Sequence, residues 1–359
     1  MAASGLPRKM TMTVSPDRIA VIGSSPFAVF LSGLLATGQT RDVALVRDPD
    51  AEGHLPDGID LGFAPHTRPD TLALLARLVP EAQRLLSRIP VPVIDRGDLL
   101  LGATGHRARE ALAHMTHVAA GFGLPLEPMP GENPRRVRVR DMRRLRRAAF
   151  LAASAGWLAA RGVTQVHGRD LAGIGRDGSA TIAGETYPLA ILADDAAALV
   201  HGVEADLARL GRFVSHATLL TEPIPPLAAT PLALDLDSGA ILRQRASGAL
   251  QITGPFSGSA LPAGFSDLIG QHPLRLAGRA EHMRFVSHDG APVLGAPRRG
   301  RATVLLGLGP DALMFAPMLA RWIAGAASEP EAQWCAAHGA TRSARSAAVA
   351  EFAPVRAEA

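Results

Sequence analysis

The stretch that most constrains the fold lies between residues 18 and 46, where one short apolar run ends in glycine and a second follows soon after. Arg18 to Gly23 reads RIAVIG, which has the form of a strand buried on both faces. Ser24 to Ala36 then carries Phe27, Val29, Phe30, Leu31, Leu34 and Leu35, too many apolar positions for a surface loop. That pattern predicts a helix packed closely on a sheet. A Gly-Gln-Thr turn leads into a second strand over Asp42 to Val46. Strand, tight turn, helix and strand within about thirty residues make a βαβ unit, whose crossover is right-handed.

The turn after the first strand carries the chemistry of such a unit. In a G-x-G-x-x-G turn the backbone approaches a pyrophosphate, and the helix N-terminus offers it free N–H groups. Here the hexad is Gly23, Ser24, Ser25, Pro26, Phe27 and Ala28. The first glycine is kept, and alanine serves at the third position, where close helix packing is the need. Ser25 stands at the second position, where a Cβ crowds a pyrophosphate. Pro26 suits the first helical turn because its missing N–H costs little there. The acidic residue that binds ribose hydroxyls after the second strand is either Asp48, one place late behind Arg47, or absent. A Rossmann-like unit that keeps its shape without a nucleotide is the alternative reading.

The far end of the chain adds a longer pattern. Arg284-Phe-Val-Ser-His288-Asp289-Gly290-Ala-Pro292-Val-Leu-Gly295 precedes a strand, ATVLLGLGP, and a helix, DALMFAPMLARWIAG. This resembles the closing segment of the D-amino-acid oxidase family, in particular its glycine and sarcosine oxidase branch. The matching residues are Arg284, Asp289, Gly290, Pro292, Gly295, Gly307, Ala316 and Pro317, and the resemblance runs from about residue 18 to 326. It implies an α/β fold in which a discontinuous Rossmann-like FAD-binding domain joins a second, mixed and mainly antiparallel sheet domain for substrate. The FAD domain would comprise 18–95, 141–215 and 281–326, and the substrate domain 96–140 and 216–280. Residues 1–17 would be a disordered leader, and 327–359 a tail loosely ordered beyond Arg342.

The resemblance also implies site residues. Non-covalent FAD would rest on Gly23 to Ala28 and Asp48, with its adenine near the Leu171 backbone. The late turn would supply Gly307, Gly309, Asp311, Ala312 and Leu313. Arg284 would anchor a substrate carboxylate, since a guanidinium grips a carboxylate bidentately. His288, close by in sequence, would be a second candidate catalytic group. The implied activity is FAD-dependent oxidation of a small amine or amino acid by hydride transfer. Several positions depart from the family. Asp194 and Asp195 replace small residues at the end of the strand ILAD and would repel a pyrophosphate. Glu52 to Pro65 replaces the small-residue stretch that lines the flavin, and the only tyrosine, Tyr187, lies away from the strand at Ala240 to Arg243. These departures motivate a second reading, a cofactor-free protein that binds a ligand or assembles with a partner subunit. A third, an NADP-dependent dehydrogenase, would use Arg47 for a 2′-phosphate and leaves the closing pattern unexplained.

Composition removes other classes. A net charge of +4 gives no case for nucleic acid, and Lys9 is the only lysine in an arginine-rich chain. The one basic concentration, Arg135 to Arg147, lacks the interleaved aromatics of a single-strand binder and reads as a solvated face or a partner surface, opening a helix over Asp141 to Arg161. Cys335, the lone cysteine, reads as packing. His114 and His117 have no carboxylate partner at ligand spacing, so no metal site is expected. No apolar run reaches the roughly 18 residues that a membrane span needs, and a cytoplasmic location follows as the default. Pro80 is expected to break or kink the helix that begins near Leu72.

Overall fold

A computed structural model describes residues 17–39, 41–48, 60–62, 66–124, 126–130, 135–227, 230–255, 263–298 and 302–343. The leader before Asp17, most of the segment from Glu52 to Pro65, and the tail beyond Ser343 lie outside them. In chain order the elements are β1 (Arg18–Ile22), α1 (Pro26–Gln39), β2 (Asp42–Arg47), α2 (Pro69–Leu86), β3 (Ile94–Ala103), α3 (His106–Gly121), β4 (Leu126–Pro128), β5 (Arg135–Leu145) and α4 (Arg147–Ala159). Then come β6 (Thr164–His167), β7 (Leu171–Ile174), β8 (Ala180–Ile182), β9 (Glu185–Tyr187), β10 (Leu189–Leu192), α5 (Asp195–Val200), α6 (Glu204–Leu207), β11 (Gly211–Pro223), β12 (Leu232–Asp235), β13 (Ile241–Gln244) and β14 (Ala249–Gly254). The chain closes with α7 (Ser266–Ile269), β15 (Leu276–Ser287), β16 (Val293–Gly295), β17 (Thr303–Leu306), α8 (Ala312–Ile323) and α9 (Glu329–Ala337).

The protein is α/β, with one largely parallel sheet and one mainly antiparallel sheet. The first has the order β16-β17-β10-β1-β2-β6, and only β16 runs antiparallel. Its strands are apolar runs because both faces are covered. One face packs on α1, α2, α4 and α8, and the other on the small β7-β8-β9 sheet, Phe213 and Phe285. The second sheet has the order β15-β11-β14-β13-β12-β3-β5-β4, with β12 and β3 its single parallel pair. Strand β1 lies between β10 and β2, so the chain departs from β1 in both directions. The crevice beyond the C-terminal ends of β1 and β10 is the topological switch point, where open α/β sheets bind ligands.

Three local expectations change. The helix predicted from Asp141 begins only at Arg147, because RRVRVRDMRRL alternates and forms β5, burying Val137, Val139, Met142 and Leu145. Asp141 sits at the register shift of that strand with φ +52°, a conformation aspartate tolerates. The strand predicted over Thr181 to Ala193 is three strands, β8, β9 and β10, turned at Ala183-Gly184 where both φ angles are positive. Pro80 does not break α2, which runs unbroken from Pro69 to Leu86. Its buried face, including Leu74, Leu75, Leu78 and Ala82, compensates for the missing hydrogen bond.

Helix α1 depends on one glycine. A Cβ on Gly33 would lie 2.0 Å from the Trp157 ring of α4, so the two helices approach as closely as they do only because that side chain is a hydrogen. Gly38, one turn later, has nothing within 4 Å of an added Cβ. In urea unfolding, Gly33→Val is expected to lose about 2–3 kcal/mol by overpacking. Gly38→Ala should be neutral or gain about 0.5–1 kcal/mol from helix propensity.

Candidate functional site

The crevice at the switch point is built from the β1–α1 turn and the β10–α5 turn. Gly23 N–H donates to the Val46 carbonyl (3.0 Å), which ties the turn to β2. The next two amides, Ser24 and Ser25, both donate to Asp194 Oδ2, at 2.7 and 3.1 Å. The other carboxylate oxygen of Asp194 accepts the Ala197 amide (2.8 Å) and so caps α5. One side chain therefore serves the donors at two helix N-termini, where negative charge is favoured. A Cβ on Gly23 would lie 2.6 Å from Asp194 Oδ2, so this glycine is required by the carboxylate. Ser25 Oγ accepts the Ala28 amide (3.2 Å), and Ser24 Oγ accepts the Asp48 amide (3.1 Å). Pro26 and Phe27 are buried at the start of α1. The Asp48 carboxylate leans toward His167 at the end of β6, 3.8 Å away.

A dinucleotide would need the Ser24 and Ser25 amides for its pyrophosphate. Both are engaged by a carboxylate of the chain itself, and the diphosphate would be brought against that negative charge. The cradle as folded does not fit an FAD pyrophosphate.

The predicted substrate arginine faces the neighbouring carboxylate. Arg284 Nε lies 3.9 Å from Asp195 Oδ2. Burial pushes the Asp195 carboxyl up to about 6, against the opposing pull of Arg284. On the same face of the second sheet, His216 of β11 pairs in register with His282 of β15, their ring centroids 5.7 Å apart. His216 is 3% exposed, and neither of its ring nitrogens has a hydrogen-bond partner among the described residues. Burial, then the Arg284 charge, lowers His216 to about 2 and His282 to about 4, so both imidazoles are neutral at ordinary pH. Residue-type spacing gave no reason to single these two out. Their signal was latent in S-H-A-T and E-H-M-R, two strand segments whose pairing brings the rings together.

The remaining candidates are dispersed. His288 is exposed and its Nε2 faces the Ala208 carbonyl (3.2 Å). Asp289 is buried against Arg342 (3.0 Å), which fastens the start of the tail. In the late turn, Gly307 and Gly309 take φ of +66° and +65°, and Leu313 is buried. The Pro310 carbonyl accepts the Leu61 amide (2.8 Å), and Asp311 pairs with His66 at 2.6 Å, both side chains fully buried. Ala312 opens α8 just behind this pair. Leu171 lies in β7, paired with Ile182 at the edge of the core on the far face of the parallel sheet. No group of three metal-ligating side chains occurs among the described residues. Cys335 is buried, with its thiol pushed up by burial. No helix among the described residues is long and apolar enough to cross a membrane.

No family model matches this sequence, and no curated protein matches it. Solved structures do. An L-proline dehydrogenase from P. horikoshii superposes with a TM-score of 0.66 at 12% identity, over 90% of this chain and 97% of that one. A glycine oxidase from Geobacillus kaustophilus gives 0.63 at 16%, over 88% and 96%. NikD, described as an unusual amino acid oxidase essential for nikkomycin biosynthesis, gives 0.68 at 16%, over 95% and 100%. Near-complete coverage in both directions, with the same pairing of a parallel and an antiparallel sheet, identifies the architecture. The chain has the two-sheet fold of the D-amino-acid oxidase class.

Proposed function

We propose that this chain uses the amino-acid-oxidase fold as a binding or assembly subunit and holds no flavin of its own. The observation that carries this reading is Asp194, whose carboxylate takes the amide hydrogen bonds that an FAD pyrophosphate would need. Two further features agree with it. His66 and Asp311 form a buried pair at the late turn, where the resemblance expects the cofactor. Arg284, expected to hold a substrate carboxylate, instead faces Asp195.

The arginine run is the weaker candidate for a partner surface. Arg136 meets Asp267, Arg138 and Arg140 meet Asp98, Arg143 meets Asp141, and Arg144 meets Asp95. A strand whose guanidinia are mostly matched by carboxylates presents little free positive field. The better surface for a ligand is the buried polar face around His216, His282 and Arg284, where imidazole nitrogens lack partners. That face also favours the second reading, FAD-dependent oxidation of a small amine or amino acid. The enzymes named by the structural comparisons act on such molecules, and in this chain the reading requires Asp194 to leave the cradle.

The visible spectrum of the purified protein, before and after FAD addition, separates the two. The expected outcome is no flavin bands and no retained FAD after gel filtration, whereas retained bands would establish the oxidoreductase reading. Asp194→Ser keeps a capping oxygen for α5 but removes the charge. By freeing the Ser24 and Ser25 amides as well as removing the charge, it is expected to raise affinity for ADP or FAD by on the order of a hundredfold, and Asp194→Asn, uncharged but able to keep an oxygen on those amides, by less.

The buried titratable groups predict the pH dependence of unfolding. Asp195 has a raised folded pKa, so its contribution is full below about 4, its unfolded value, and is lost as pH rises through about 6. The two histidines have depressed folded values, so their contribution is present above about 6.5, the unfolded value, and is lost as pH falls toward them. Stability should therefore fall on acidification from pH 7. His216→Phe should flatten that loss, and Asp195→Asn should steepen it, as read by thermal unfolding between pH 7 and 4.5.

A further inference from the structure

On the helical face of the parallel sheet, away from the Asp194 crevice, α1, α2, α4 and α8 line a half-open cavity of about 210 Å³. Leu34, Leu85, Trp157 and Pro317 give it an apolar part, and its polar lining is Thr37, the mutually paired Glu81 and Arg321, and Arg88 and Arg161. We propose that this cavity is a binding site for a small amphipathic carboxylic acid, its apolar tail between the helices and its carboxylate between the two guanidinia. The inference goes beyond the binding-subunit reading and does not depend on whether the crevice holds a flavin.

Charge is the first argument. Arg321, also at this cavity, is fully answered: Glu81 and Glu331 both bond it, at 2.6 and 2.5 Å. Arg88 and Arg161 are not. Among the described residues neither has a carboxylate in salt-bridge range, and the charge that Arg161 feels most is that of Arg88 itself. Burial and this like charge both lower Arg161. Its guanidinium lies 4.2 Å from the Trp157 ring centre and donates to the Trp157 carbonyl (3.1 Å), which holds it at the cavity mouth. Like charges held together without an intervening carboxylate favour an anion, and an arginine fork suits a carboxylate. The carbonyl ends of α2 and α4 at this site favour the arginines' presence, but a helix end carries only about half a charge, less than two guanidinia.

Volume and lining give the second argument. An apolar cavity of about 150 Å³ is enough for benzene, so this one accepts a short aliphatic chain or a single ring and excludes a nucleotide or a flavin. The ligand class is thus an acid with an apolar body of eight or so carbons, by the same comparison. Gly38 lines the same cavity and leaves it open, since an added Cβ meets nothing within 4 Å.

The test is isothermal titration of the full chain with octanoate and with octanamide, its uncharged counterpart. One octanoate per chain is expected, with octanamide weaker by on the order of tenfold or more, as for a lost charge-assisted bond. Arg88→Gln, at an exposed position that carries no packing, should bring octanoate down toward octanamide. Gly38→Leu should abolish binding of both, and Gly38→Ala should leave both unchanged. Circular dichroism and the unfolding temperature confirm that each variant is folded. No saturable heat with octanoate, equal affinity for the two ligands, or unaltered binding in a folded Gly38→Leu would each overturn the proposal. None of these outcomes bears on flavin binding, which the visible spectrum reads separately.

Discussion

At the end of the parallel sheet where β1 and β10 lie side by side, two helices begin, and each leaves backbone N–H groups without intrahelical partners. Any protein with this topology must supply negative charge or an acceptor there. This chain supplies it covalently, through Asp194, which accepts amides of Ser24 and Ser25 on one side and Ala197 on the other. The arrangement explains Gly23 without a nucleotide: the carboxylate, at 2.6 Å from where a Cβ would stand, requires a glycine as strictly as a phosphate does. A glycine in the right place is thus compatible with two occupants, and the occupant is decided by a residue far away in sequence.

That distance marks the limit of what the sequence disclosed. The βαβ unit was legible because its strands are continuous apolar runs and its helix is apolar nearly all round, both consequences of burial in the middle of a sheet. The two-sheet plan was legible through the closing segment from Arg284 to Gly295. The hazard of Asp194 to a pyrophosphate was legible as charge, but its actual position on the Ser24 and Ser25 amides was not, because a hydrogen bond across 170 residues has no local signature. Local competition also misled. The run from Arg135 to Leu145 alternates with period two, yet its arginines were read with the helix that follows, and only the pairing with β3 and β4 separates strand from helix. His216 and His282 illustrate the same limit, since each is an ordinary strand residue until the β11–β15 register sets them against one another.

Adjacent residues in the β10–α5 turn divide two electrostatic problems between them. Asp194 accepts three backbone amides at two helix N-termini, where an acceptor is favoured. Asp195 has burial, a neighbouring carboxylate and a guanidinium no closer than 3.9 Å, and its carboxyl rises to about 6. Burial chiefly keeps His216 and His282 neutral, and the Arg284 charge that partly supports Asp195 adds to it. The guanidinium thus stands 3.9 Å from a carboxylate of the chain itself. A ligand acid arriving at Arg284 would compete with Asp195 and would push it further toward its protonated form.

The two ends of the nucleotide-type half consequently differ in kind. At the C-terminal ends of the strands, where this architecture ordinarily recruits phosphate, the positive ends of the helix dipoles are answered from within by Asp194. On the helical face Arg88 and Arg161 line one cavity whose carboxylate, Glu81, is taken by Arg321, and among the described residues neither arginine has a carboxylate in salt-bridge range. Internal neutralisation at one place and a pair of cations without carboxylate partners at another are both consequences of where carboxylates fall in an arginine-rich sequence.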